Sequence, residues 1–269
     1  MKRQYVDTPE GQVHFVTAGS GDPLLLMAHT PRSWTYFRQL IPQLAVRRRV
    51  IVMDTLGFGS SDDAPRDARI PYFGQSVVHF LDALGIDRAD IWGTVTGGVI
   101  ALDVAATRPE RVHRLLLMEL PFFTSEEERK ARVEDYRVQM PGSPKEDGSH
   151  VAAAWQMALG GYDGPLNEVG VQTVTDYATD IIKAGTKWPE MAIRVHSYEK
   201  APRLAKVQSP TLVIGLDELS PHPYLKRAAE VQALLPDSRL EMIQGGLLSV
   251  TYGGKADKLA HTVLGFLDE

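Results

Sequence analysis

The chain has 269 residues, no cysteine and a net charge of −5, which excludes disulfides, thiolate metal sites and a cysteine nucleophile. It also lacks the basic field that draws proteins to nucleic acid or anionic membranes. No apolar run reaches membrane-spanning length, and the start, Met1-Lys-Arg-Gln-Tyr-Val-Asp7, has no signal-peptide centre, so a soluble cytoplasmic protein is expected.

In chain order, Gln12–Ala18 alternates enough to be an edge strand, and Gly19-Ser-Gly-Asp22 turns the chain. Leu24–Ala28 is a continuous apolar run, the mark of a strand buried on both faces. A loop, His29-Thr-Pro-Arg-Ser33, precedes apolar residues at helical spacing over Trp34–Leu44. Arg49–Met53 is the next buried strand and empties into the turn-rich stretch Asp54–Asp62. Tyr72–Leu84 predicts an amphipathic helix, with Val77, Val78, Phe80 and Leu81 on or near its apolar face. Next come a strand at Ala89–Trp92, small residues from Gly93 to Gly98, and an apolar helix at Val99–Thr107. Strand, turn and helix with outer glycines at Gly93 and Gly97 form the setting of a G-x-S-x-G nucleophile elbow, yet the apex is Val95. Val112–Met118 is a further strand, ending at Glu119-Leu-Pro121.

Strands alternating with helices imply a mostly parallel α/β sheet covered on both faces, with ligands gathering at the strands' carboxyl ends. His29, Asp54, Val95 and Glu119 all lie at such ends. From Phe122 to about Arg203 the pattern is helical without a convincing strand. Helices are expected at Glu126–Val138, under a capping box from Thr124 or Ser125, and from Ser149 through Trp155. Two more are expected at Val171–Ala184 and Trp188–Tyr198, with Pro141-Gly-Ser-Pro144 ending the first helix. Residues 122–203 thus read as a helical cap inserted between core segments 1–121 and 204–269. Thr211–Gly215 and Arg239–Ile243 are the last strands, with helices at Tyr224–Leu235 and Ala256–Leu267.

Taken together these tokens resemble the α/β-hydrolase superfamily over essentially the whole chain. They are His29 after the third strand, Asp54-x-x-Gly57-x-Gly59-x-Ser61-Asp62 after the fourth, the Gly93–Gly98 elbow, Arg108-Pro-Glu-Arg-Val112 and Pro210-Thr-Leu-Val-Ile214. His29 through Asp62 is most similar to haloalkane dehalogenases and epoxide hydrolases. The resemblance implies a Ser or Asp nucleophile where this chain has Val95. It implies a histidine base in the turn Gln244-Gly-Gly-Leu-Leu248, where this chain has Leu247 or Leu248. For the orienting acid it points to the region of Asp217, Glu218 and Leu219, or to Glu119 after the next strand. A triad needs both nucleophile and base, so covalent catalysis through Val95 is chemically excluded. The apex of such an elbow sits at positive φ, a strained setting for a β-branched residue.

What remains is a polar set of His29, Thr30, Arg32, Thr94, Thr96 and Glu119. The resemblance implies that the Thr30 and Thr96 amides form the oxyanion hole. His29 reads as a general acid or base, or as an anchor of its loop; Arg32 as a binder of carboxylate or carbonyl, or as an exposed loop residue. Glu119 reads as a proton acceptor raised by burial or as an acceptor of structural backbone bonds, and Asp54 as shaping its turn. The catalytic candidates are Glu119, His29, Arg32 and Thr96; Thr30, Trp34, Thr94, Val95, Phe122, Trp155 and Leu247 would line the pocket. The other histidines lack metal-ligand spacing, and Gly57-x-Gly59 lacks the rest of a dinucleotide fingerprint, so neither metal nor cofactor is expected. The expectation is a cofactor-free lyase, isomerase or cyclase acting on an apolar carbonyl compound. The alternatives are a non-catalytic binder or receptor, and a hydrolase using water activated by Glu119 or His29. The expected partner is a small molecule, without nucleic acid or membrane, and homo-oligomerisation is left open.

Overall fold

A computed structural model describes residues 1–138, 144–162, 164–217 and 223–269. Its first strands, β1 (Lys2–Thr8) and β2 (Gly11–Ala18), pair antiparallel, and β2 also pairs antiparallel with β4 (Arg49–Met53). The rest of the sheet is parallel: β3 (Pro23–Met27), β5 (Ala89–Thr94), β6 (Val112–Met118), β7 (Thr211–Leu216) and β8 (Ser238–Ile243). The spatial order is β1-β2-β4-β3-β5-β6-β7-β8. Gln12–Ala18 is therefore not the edge strand. The polar stretch β1 takes the rim, where it joins through its backbone with little burial and so carries no apolar pattern.

The helices are α1 (Ile41–Leu44), α2 (Ile70–Ala83), α3 (Thr96–Thr107), α4 (Glu126–Val138), α5 (Ser149–Gly160), α6 (Glu168–Ala184), α7 (Lys187–Ser197), α8 (Ala201–Leu204), α9 (Ala228–Ala233) and α10 (Gly253–Leu267). Alternation along the buried strands divides the core. Leu25 and Met27 pack with α2 and α3 on one face, while Leu24 and Leu26 pack with α1 and α10 on the other. Among the described residues five helices, α4 to α8, lie between β6 and β7, and α5 and α6 build a small cluster around Ala158, Val174 and Ile181.

Several local readings change. Trp34–Leu44 splits into a 3-10 turn at Trp34–Phe37 and the one-turn α1, because Pro42 has no N–H to continue a helix and fits only in the first turn of a new one. Ser125 does cap α4, its Oγ accepting from the Glu128 amide at 3.1 Å. The reciprocal half of the box is not formed: the Glu128 carboxylate pairs with Arg227 at 2.8 and 3.0 Å. That pair sits where Arg227 leaves helical geometry (φ −110°, ψ 37°), so Tyr224–Leu235 is a 3-10 turn followed by α9. Gly148, not Ser149, caps α5, which continues to Gly160. Pro141-Gly-Ser143, Glu218, Leu219 and His222 lie outside the described residues. Among the described residues no helix is long and apolar enough to cross a membrane.

Register sets the site. Met27 is level with Gly93, Thr94 with Met118, and Met118 with Ile214, so β3, β5, β6 and β7 end together. The loop at His29, the apex at Val95 and the carboxyl of Glu119 consequently emerge from one edge of the sheet.

Candidate active site

The elbow is formed as in a nucleophile turn although its apex is inert. Val95 has φ 48° and ψ −103°, donates its amide to the Met118 carbonyl at 3.0 Å, and accepts from the Val99 amide at 3.0 Å. Such backbone strain costs about 1–3 kcal/mol. The turn persists because the backbones around it touch. A Cβ at Gly93 would lie 2.2 Å from the Gly97 carbonyl oxygen, and one at Gly97 would lie 2.2 Å from that of Met27. Strand and helix can meet this closely only through glycine.

Across from the elbow runs the His29–Ser33 loop, with a cis Thr30–Pro31 bond. The Thr30 and Thr96 hydroxyls are 2.9 Å apart, which sets the two residues side by side. Their amides donate to no group among the described residues, as an oxyanion hole requires. Asp54 holds the other side of this loop. It accepts from the Trp34 amide at 2.6 Å, from His14 Nδ1 at 2.8 Å and from the Ser60 amide at 3.1 Å. With its oxygens so engaged, Asp54 shapes its turn, as the sequence suggests.

His29 does not anchor its loop. It is buried, and neither ring nitrogen has a hydrogen-bond partner among the described residues. Burial, and then the Arg32 charge, hold its pKa well below the ordinary imidazole value, so it is neutral at pH 7. Nor is Arg32 exposed: it is 2% accessible, and its guanidinium faces the rings of Tyr177 at 4.9 Å and Tyr36 at 5.6 Å. Nη2 donates to the Tyr252 hydroxyl at 3.3 Å, and Nε lies 3.4 Å from Asp180. Asp180 is carried by α6 and accepts from the Ser33 amide at 3.0 Å, tying the inserted helices to the loop.

Glu119 ends β6 at φ 53° with its amide on the Ile214 carbonyl. Its Oε1 accepts from the Leu216 amide at 2.8 Å, so it does receive a structural backbone bond. Burial still dominates and pushes its pKa up to about 7, against the opposing pull of that amide and of Lys226. Tyr36 connects the parts. Its hydroxyl donates to the Leu247 carbonyl at 2.9 Å, and its pKa is raised by burial and then modulated by Arg32, Tyr252 and Glu119.

The other expected wall residues scatter. Thr94 is buried with its hydroxyl unpartnered, and Leu247 presents its carbonyl to Tyr36. The Trp34 ring is taken up by Arg38 at 4.8 Å and Arg3 at 5.6 Å, a packing position toward the sheet rim. Trp155 packs on the inserted helices' own cluster. Phe122 borders a cleft of about 190 Å³ with Phe123, Arg129 and Lys200. Among the described residues no three His, Asp or Glu side chains gather as a metal would require. Sequence reasoning missed Tyr36, Asp180 and Tyr252. The signal for Asp180 was present: it falls seven residues after Thr173 and three after Tyr177, an acid on the helix face that turns inward.

A family model described as alpha/beta hydrolase fold matches residues 23–247. Over 106 residues the chain is 42% identical to 2-hydroxymuconate semialdehyde hydrolase of Pseudomonas sp. (strain CF600), covering 38% of this chain and 37% of that one. Over 129 residues it is 31% identical to cis-3-alkyl-4-alkyloxetan-2-one decarboxylase of Shewanella oneidensis, covering 45% and 40%. These matches span less than half the length of either relative; epoxide hydrolases and haloalkane dehalogenases are matched in the same way. The fold aligns with the enol-lactonase from Burkholderia xenovorans LB400 at a TM-score of 0.80 and 19% identity, covering 99% of this chain and 100% of that one. With the elbow, the register and a family match over most of its length, the chain belongs to the alpha/beta hydrolase fold family.

Proposed function

We propose that this protein is an enzyme that acts without a protein nucleophile on a mainly apolar carbonyl compound, by a lyase, isomerase or cyclase reaction. The observation that carries the reading is the pairing of an inert apex, Val95, with a carboxyl at the neighbouring strand end whose pKa is about 7. A base is most effective when its pKa lies near the working pH. In this reading the substrate carbonyl oxygen takes the Thr30 and Thr96 amides. Ionised Glu119 removes a proton from the carbon next to the carbonyl, and the two amides stabilise the resulting enolate. The proton on Glu119 then returns to a different carbon, or to a group that leaves. An aliphatic apex keeps a competing acyl-transfer nucleophile out of reach of that carbonyl. The decarboxylase among the relatives supports a non-hydrolytic reaction on this fold.

The hydrolase names among the relatives favour a second reading, in which Glu119 activates water for attack on the same carbonyl. Turnover in H₂¹⁸O and in D₂O separates them. Deuterium on the substrate-derived carbon without ¹⁸O in product is expected; ¹⁸O in a newly formed acid would replace the first reading by the second. Turnover should survive Val95→Ala and collapse in Glu119→Gln.

A further inference from the structure

We propose that the compound this site selects carries a carboxylate, and that Arg32 is the residue that binds it. The inference rests on the reading that a carbonyl compound lies over Val95, and it adds the substrate class.

A guanidinium offers five N–H donors. Here one nitrogen, Nη2, donates to Tyr252, while Nη1 and Nε have no hydrogen-bond partner among the described residues although both are buried. Neutralising Asp180 does not account for this arrangement. Asp180 Oδ2 already accepts from the Ser33 amide at 3.0 Å, the Ser33 hydroxyl at 3.2 Å and the Thr35 hydroxyl at 3.3 Å. Arginine and carboxylate placed for each other form two parallel bonds, whereas Nε meets Asp180 only at 3.4 Å. What orients the guanidinium is aromatic: the rings of Tyr177 and Tyr36.

His29 stands at the same two rings, 4.8 Å from Tyr36 and 6.4 Å from Tyr177, with both nitrogens unpartnered. Being neutral, it supplies one N–H beside the arginine. Both donors face the Tyr36 ring, and His29 directly precedes Thr30, whose hydroxyl meets that of Thr96. Buried unpaired donors cost free energy, and a planar anion that accepts two N–H bonds removes the cost. A single negative charge suits the site, because Asp180 already offsets part of the arginine and the remaining walls are aromatic. Tyr177, carried by α6, covers the guanidinium, so entry turns that ring aside.

The test is calorimetric titration of the full chain with 4-phenyl-2-oxobutanoate and with 4-phenyl-2-butanone, in which a methyl stands in place of the carboxylate. The keto acid should bind the wild type at least about tenfold more tightly, as a charge-assisted pair implies. In Arg32→Gln/Asp180→Asn, which removes both buried charges, the preference should vanish while the ketone binds within about twofold of wild type. Arg32→Lys, with charge but no fork, should fall between. Equal wild-type affinities overturn the inference whatever the variants do, and so does a preference that survives the double substitution. Val95→Phe keeps the two readings apart, since it should block both probes. If both still bind it, the carbonyl reading fails; if it blocks a ketone that wild type binds as well as the keto acid, the carboxylate inference alone fails.

Discussion

Replacing Glu119 by glutamine removes one titration while keeping the shape of the side chain and an acceptor for the Leu216 amide. The carboxyl ordinarily titrates at 4.5 and is pushed up to about 7 in the fold. A group whose folded pKa is raised contributes stability that is fully present below its unfolded pKa and lost as pH rises through the folded one. From pH 4.5 to 7 the unfolded chain ionises at this position while the folded chain does not, so wild-type stability falls by about 1.4 kcal/mol per pH unit from this group. The total is about 3 kcal/mol, reached near pH 8. Urea unfolding of both proteins at pH 5, 6, 7 and 8.5 reads it directly, because other titrating groups cancel in the difference. Glu119→Gln should be nearly as stable as wild type at pH 5 and about 3 kcal/mol more stable at pH 8.5. A difference that stays flat across this range would show that Glu119 titrates as an ordinary carboxyl, and its assignment as the proton carrier would go with it. The same variant should lose any rise in kcat/KM through an apparent pKa near 7.

His29 gives the opposite sign. Its folded pKa lies well below 6.5, so its contribution is present above pH 6.5 and lost as pH falls below it. His29→Asn should therefore gain on wild type only at acid pH, measured by the same unfolding series. Val95→Gly should relieve an apex at φ 48° and, after the entropy glycine adds to the unfolded chain, raise stability by about 1 kcal/mol. That is about 2–4 °C in Tm by calorimetry, and an unchanged or lower Tm would place the strain elsewhere. Gly97→Ala sets a methyl 2.2 Å from a backbone oxygen in the middle of the sheet, so a loss of about 3 kcal/mol or more is expected, seen as a fall in the urea midpoint.

The fold was legible where local pattern and burial agree. Runs such as Leu24–Met27 and Leu115–Met118 are buried on both faces and announce themselves as central strands; the helix from Glu126 starts where its Ser125 cap sets it. The pattern failed where an element is held by partners far away in sequence. β1 has no apolar face because, among the described residues, it pairs with β2 alone, at the rim of the sheet. The Trp34–Leu44 segment is broken at Pro42, and its entry is fixed by Asp54 and Asp180 from two other elements. The site was legible by position, since strand ends follow from topology: His29, Val95 and Glu119 stand where parallel strands stop. Side-chain surroundings were not. Arg32 reads equally well as a surface residue until the tyrosines of three separate segments close around it.

The strained turn alone does not argue for a reaction. Val95 keeps its positive φ because Gly93, Gly97 and Met27 crowd the junction of strand and helix, and that crowding would hold any side chain there. A better discriminator is whether the polar groups around the turn are satisfied by the fold. Asp54 is: its bonds to Trp34, His14 and Ser60 leave it a structural task. His29, Arg32 and Thr94 are buried and retain unpartnered atoms, although each such atom costs about 1–3 kcal/mol. Glu119 meets one amide and is otherwise held near its neutral form. A core assembled for stability alone would carry apolar groups of similar volume at these places. In the proposed reading, an aliphatic apex at Val95 beside polar groups the fold leaves unsatisfied favours a different chemistry over an abandoned one.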